Sequence, residues 1–219
     1  MAVRIVAVTA LVIAVAAAPA RAAAALDPLE PCYVSTGPAT ERREKVTVRG
    51  TDLLPNATVE VLIDGISVYR PSTDAVGDFT VLVDAPYQPR GERPFTLEVH
   101  DGVSRLAAQS RVTNLAVSVR PRQAPPSSRV RFRGRGFTQK GAVYAHYLYG
   151  HKLQKTVRLA AGSNSPCGTF SVKRRQIPVE NARTGRWTVQ IDQKKAYDLQ
   201  PDPVWVRLPI KVSESFGSI

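Results

Sequence analysis

The chain repeats itself, and the repeat sets the scale of whatever it folds into. Val46-Thr-Val-Arg-Gly50-Thr-Asp-Leu-Leu54 lines up with Val130-Arg-Phe-Arg-Gly134-Arg-Gly-Phe-Thr138, 84 positions later, and Val59 and Val143 keep that register. Later segments drift to slightly larger offsets. Gly77-Asp-Phe79-Thr-Val81 matches Gly168-Thr-Phe170-Ser-Val172, and Phe95-Thr-Leu-Glu-Val99 matches Trp187-Thr-Val-Gln-Ile191. One supersecondary plan is therefore used twice, with longer loops in the second copy.

The local pattern inside each copy is that of β-strands. Lys45 to Gly50, Thr58 to Ile63, Phe79 to Val83 and Phe95 to His100 alternate apolar and polar residues, as strands with one buried face must. Between them lie Asp64-Gly65, Val76-Gly77-Asp78 and Pro89-Arg90-Gly91, all turn chemistry. The pattern resumes at Ala116 to Val119, Arg129 to Arg133, Val143 to Tyr149, Thr156 to Leu159, Thr169 to Val172, Trp187 to Asp192 and Val204 to Val212. Seventeen prolines and fourteen glycines are spread along the chain rather than clustered, and no stretch after the N-terminal region shows a helical period of useful length. The fold class is all-β. Phe79, Val81, Phe132, Phe170 and Trp187 are expected in the core.

The first residues set an expected compartment. Arg4 is the one charge in the first twenty positions, and the apolar run from Ile5 to Ala18 is shorter than the roughly 20 residues a membrane span needs. It ends in Ala20-Arg21-Ala22, a small-x-small cleavage pattern, so residues 1–22 read as a secretory signal peptide. Leu29-Glu30-Pro31 before Cys32 does not resemble a lipidation site, and no later window reaches membrane length. The expected division is signal peptide 1–22, an N-terminal segment with a first strand 23–44, one module 45–113 and a second, basic module 114–219. The mature chain is expected to be secreted, extracellular or associated with the cell wall.

Certain residues carry a family resemblance. A strand, then Gly-x-x-(Leu/Phe)-x-Pro-x-Ala-x-Val, a later Asp-x-x-Gly-x-Phe and a closing strand are supplied here by Gly50 to Val59, Asp74 to Phe79 and Phe95 to Val99. This run resembles the bacterial immunoglobulin-like and IPT/TIG modules of secreted proteins. More closely, Pro31-Cys-Tyr-Val34, Val130 to Phe137, Val143-Tyr-Ala-His-Tyr147, Pro166-Cys-Gly-Thr169 and Gly185-Arg-Trp187 resemble a group of uncharacterised secreted actinobacterial proteins. The resemblance implies two immunoglobulin-like antiparallel β-sandwich modules in tandem after a signal peptide. It supplies no activity.

Charge divides the repeats. Residues 45 to 113 hold seven Lys/Arg against nine Asp/Glu, a net of −2, whereas residues 114 to 219 hold nineteen against five, a net of +14. Arg129, Arg131, Arg133 and Arg135 recur with period two and so share one face of a strand, while Val130 and Phe132 point the other way. Lys173, Arg174 and Arg175 form a second cluster. Such a face attracts polyanions by counterion release and by bidentate guanidinium contacts. Outside the cell, anionic wall polymers or lipid headgroups are the expected partners, ahead of nucleic acid. A merely solvated face that keeps a secreted protein soluble has the same composition. Tyr144, Tyr147, Tyr149, His146, His151, Trp187 and Trp205 interleave with this charge and fit either packing or ring stacking.

Catalytic and metal chemistry find little support. His100, His146 and His151 do not have the spacing of zinc motifs, and there is no Gly-rich phosphate loop or Gly-x-Ser-x-Gly elbow. No catalytic residue, metal or cofactor is assigned. The reading is a non-catalytic envelope-binding or structural protein; the alternative is a thiol-dependent wall enzyme using Cys167 with His146 or His151 as base. Cys32 and Cys167 decide between them. Two cysteines in an exported chain suit a disulfide. Their positions do not correspond in the repeat, so a bridge between them spans both modules; the alternatives are two free thiols or an intermolecular link.

Overall fold

The structure is a computed structural model that describes residues 23–162, 165–200 and 204–212. The expected signal peptide lies outside them. The chain forms two β-sandwiches in sequence, each of two facing sheets, in the immunoglobulin-like manner.

In the first, β1 (Ala25–Leu26), β3 (Lys45–Thr51) and β6 (Phe79–Asp84) form a sheet ordered β1-β3-β6. It faces a five-stranded sheet ordered β2-β8-β7-β4-β5, built from β2 (Tyr33–Ser35), β8 (Arg105–Asn114), β7 (Glu92–His100), β4 (Glu60–Ile63) and β5 (Ile66–Tyr69). In the second, β9 (Ala116–Arg120), β10 (Arg129–Arg135) and β13 (Phe170–Arg175) form the sheet β13-β10-β9. Its partner is β12-β11-β14-β15, made of β12 (Lys152–Ala160), β11 (Val143–Tyr149), β14 (Gly185–Asp192) and β15 (Trp205–Val212). The repeat is thus real in three dimensions: β3, β4, β6 and β7 occupy the places of β10, β11, β13 and β14.

Each sandwich buries its own apolar cluster. Val46, Val48, Leu53, Val59, Phe79 and Phe95 belong to the first, and Val130, Phe132, Phe137, Val143, Phe170 and Trp187 to the second. Trp187 is 2% exposed, and its indole N–H donates to the Arg183 carbonyl at 2.8 Å, so its one polar atom is satisfied in the core. Of the five core residues expected from sequence, Phe79, Phe132, Phe170 and Trp187 are buried. Val81 is half-buried and packs against the first cluster between Phe79 and Val83.

The N-terminal segment joins the two bodies. β2 runs parallel to β8, with Tyr33 opposite Val112, whereas β8 pairs antiparallel with β7 on its other side. Tyr33 packs in the first cluster and the adjacent Val34 in the second. The preceding residue, Cys32, is bonded to Cys167 with Cα atoms 5.1 Å apart, across a sequence separation of 135. No free cysteine remains. The thiol-dependent alternative therefore lacks its nucleophile. Among the described residues no helix is long and apolar enough to cross a membrane.

Candidate anion-binding face

The burial of β10 alternates strictly: Arg129, Arg131, Arg133 and Arg135 are exposed, and Val130, Phe132 and Gly134 are buried. Cross-strand register extends this line of charge sideways. Arg129 stands opposite Arg175, and Arg131 stands opposite Lys173 on one side and Arg120 on the other. Arg133 faces Ser171 and Ser118. The outer face of β13-β10-β9 is accordingly a field of cations with small hydroxyl residues between them. Arg120 is its one member that sequence reading missed, since the β9 strand was expected to end one residue earlier.

Like charges placed directly opposite each other destabilise a sheet. The first sandwich, built on the same register, avoids this. There Lys45 faces Asp84 and pairs with it, and Arg49 faces Thr80 and lies near Asp27. Arg70–Glu60, Arg93–Asp64, Arg105–Glu98 and Arg111–Glu92 complete the set at 2.6–2.8 Å. Six of the seven basic residues between 45 and 113 thus meet a carboxylate. Among the described residues, none of Arg120, Arg129, Arg131, Arg133, Arg135, Lys173, Arg174 or Arg175 forms a salt bridge.

The seven cations expected as a site do not all share the outer face. Arg174 is in the opposite register to Lys173 and Arg175, paired with buried Val130, and so belongs to the inward row of β13 with Phe170 and Val172, although at the end of that row it reaches solvent. Its guanidinium donates to the Lys173 carbonyl at 3.1 Å. It sits beside a cavity of about 190 Å³ at the edge of the sandwich, which Tyr147 of β11, Val157 of β12, Pro178, Arg129, Lys173 and Arg175 also line. The Tyr147 hydroxyl is buried and has no hydrogen-bond partner.

The aromatic residues divide between packing and surface. Tyr147 and Trp187 are buried, Tyr144, Tyr149 and Trp205 are half-buried, and the Arg207 guanidinium covers the Trp205 ring at 4.9 Å. His146 belongs to a buried polar network. Its Nε2 meets both Asp192 Oδ1 and the Lys194 carbonyl at 3.2 Å, two acceptors, so this nitrogen carries the hydrogen. Nδ1 is hydrogen-bonded to the Thr156 hydroxyl at 2.9 Å. Gln190 Nε2 donates to Asp192 Oδ2 at 2.9 Å and to the Asp198 carbonyl at 2.7 Å. Burial alone would raise the Asp192 carboxyl; hydrogen bonds from His146, Gln190 and the Lys194 N–H outweigh it and hold the group below its ordinary 3.8. With both His146 and Asp192 fully buried, this network ties the 193–200 loop to the sheet and offers no site open to a substrate. Among the described residues no group of His, Cys, Asp and Glu is arranged to hold a metal ion.

No protein-family model matches the chain, and no curated protein matches it. Among solved structures it is similar to a tandem pair of immunoglobulin domains from titin, with 13% identity over 86% of this chain and 95% of that one and a TM-score of 0.29. It is also similar to the D0–D1 domain of intimin, at 12% identity over 83% and 96% of the two chains with a TM-score of 0.29. A third is the human OSCAR ligand-binding domain, at 12% identity over 85% and 96% with a TM-score of 0.34. Similarities of this size do not reach what the chain binds.

Proposed function

We propose that this chain is a secreted, non-catalytic binding protein of the cell envelope that holds anionic polymers on the outer face of β13-β10-β9. The carrying observation is the contrast between two copies of one plan. At matching positions the first sandwich sets Lys45 against Asp84 and Arg49 near Asp27, and the second places cation against cation, with Glu92, itself paired with Arg111, lining the groove beside Arg120, Arg133 and Arg135. A surface kept only for solubility gains nothing from that register, whereas a polyanion laid along it would bring one negative charge to each row. The N-terminal signal pattern and the disulfide support an oxidising compartment outside the cytoplasm. In that compartment wall polymers are the anionic partner expected, and residues 45–113 and 114–219 are taken as the non-binding and the binding unit.

The test uses the intact mature chain, because Val34 and Cys32 tie the N-terminal segment to the second sandwich. Binding to isolated cell walls and to soluble polyanion should weaken steeply with added salt. Replacing Arg131 and Arg133 by Ser should lower affinity at least tenfold and make the salt slope shallower by roughly one unit per lost phosphate contact. Replacing Arg49 and Arg70 by Gln should change neither. Equal losses from both pairs of substitutions, or binding indifferent to salt, would overturn the reading.

A further inference from the structure

The cavity beside Arg174 lies where two inward positions differ in chemistry between the repeats. In the ladder β3–β6, Val46 faces Val83, and in β10–β13 the corresponding pair is Val130 and Arg174. In the ladder β4–β7, Ile63 faces Leu97, and in β11–β14 the corresponding pair is Tyr147 and Val189. Ile63 and Val83 are both buried, so the first sandwich fills these positions with hydrocarbon. The second fills them with a phenol and a guanidinium and leaves about 190 Å³ between them and their neighbours. The exposed pair at the rim changes in step: Lys45 and Asp84 form a salt bridge, and their counterparts Arg129 and Arg175 are both cations.

A buried hydroxyl with no partner is a rare feature, and it calls for a ligand or a water. Here Tyr147, whose hydroxyl is buried and unpartnered among the described residues, lines a cavity together with Arg129, Lys173, Arg174 and Arg175. We propose that this pocket binds a single phosphate group, with the Tyr147 hydroxyl donating from the buried side and the four cations contacting the remaining oxygens. The volume is below the range of about 300 to 1,000 Å³ typical of whole small-molecule sites, so it fits a head group and not a sugar ring. A carboxylate offers two oxygens in one plane; donors on both the buried and the outer side match a tetrahedral group better. Burial pushes the phenol far above its ordinary value, so it stays protonated and can only gain by donating to an anion. The proposal rests on the anion-binding reading of the adjacent face: the polymer chain would lie along the outer arginines, and its terminal or pendant phosphate would enter the pocket.

The experiment follows the melting temperature and the affinity of the mature chain for inorganic phosphate, with chloride at matched ionic strength as the blank. The wild type should bind phosphate and melt higher in its presence. Tyr147→Phe removes only the unpartnered hydroxyl, so it should melt no lower than the wild type without phosphate, yet bind phosphate about tenfold more weakly, as expected for one hydrogen bond to a charged group. Arg174→Val restores the residue type of the first sandwich and should also lose the phosphate response. Arg131→Ser with Arg133→Ser, which do not line the cavity, should keep it while losing soluble polyphosphate. That pattern separates the pocket from the face: polymer binding without a phosphate response leaves the face and removes the pocket, and the reverse does the opposite. Vesicles containing phosphatidic acid form a further arm, and Tyr147-dependent capture there identifies a lipid as the phosphate source. Unchanged phosphate affinity in Tyr147→Phe, or an equal shift with chloride, would falsify the proposal.

Discussion

Glycine at position 134 stands directly across from Phe170, and a Cβ added there would lie 2.2 Å from the ring carbon Cε1 of Phe170 and 2.9 Å from Phe137. Gly50 has the same relation to Phe79, at 2.4 Å. In both sandwiches the phenyl ring lies over the bare backbone of the neighbouring strand, which explains why Gly and Phe recur together in the repeat. Gly134→Ala should therefore cost about 1 to 3 kcal/mol by overpacking, measured by urea unfolding. Trp187→Ala should cost about 3 to 5 kcal/mol through the cavity it leaves, and a loss within error would mean that the indole does not carry the second core. These residues are legible in the sequence because each sits at an inward position of an alternating strand. Tyr147 is legible only as one aromatic residue among others. That its hydroxyl is stranded depends on what packs around it, and no spacing in the sequence records this.

Among the elements, the strands with strong alternation were read correctly, and the strands that were missed share a physical cause. β8 is ten residues long, but its inward row is Leu106, Ala108, Ser110 and Val112, too small and polar to give a hydrophobic signal. Its hold comes from pairing with β7 along nine register positions. β5 is exposed throughout and so does not alternate; β2, within the 23–44 segment expected to hold a first strand, is buried at all three residues, so alternation did not give its bounds. The period-two arginines of β10 gave the outer face directly; the inward register of Arg174 required knowing its partner strand. At this scale the Asp192 network also makes a pH-dependent contribution. A carboxylate whose folded value lies below its unfolded 3.8 stabilises the fold fully above that pH, and the stabilisation is lost as pH falls through the lower folded value. Asp192→Asn should lower stability by about 1 to 3 kcal/mol at neutral pH through loss of charge-assisted hydrogen bonds. Its unfolding free energy should also fall less steeply than that of the wild type below about pH 4. Parallel pH profiles would show that the network is not coupled to folding.

For the whole molecule, the disulfide was foreseeable as a pairing, because the two cysteines fall at non-equivalent places in the repeat. What could not be read was the company it keeps: β2 inserts between the two cores immediately after Cys32, so covalent and apolar links coincide. Closing a loop of this length stabilises the fold by up to roughly 5 kcal/mol in the chain-entropy model. Reduction of the native protein, or Cys32→Ser with Cys167→Ser, should lower the unfolding free energy by about 2 to 5 kcal/mol, read from denaturant titrations in oxidising and reducing buffer. A difference below about 1 kcal/mol would mean that Tyr33 and Val34 hold the segment in place without the bridge. The same connection decides how the molecule carries load. Tension applied between the N-terminal segment and β15 passes from Cys32 through the sulfur atoms to Cys167 and on into β13 and β14. The chain between the two cysteines, which carries β2 to β12, lies off that line, and of the first sandwich only β1, paired with β3, is on it. About 450 Å of chain, at the length of fully extended backbone, is thereby withheld from stretching. Under pull, the oxidised protein is a short tether in which β1 can peel from β3 while the strands between the two cysteines carry no load.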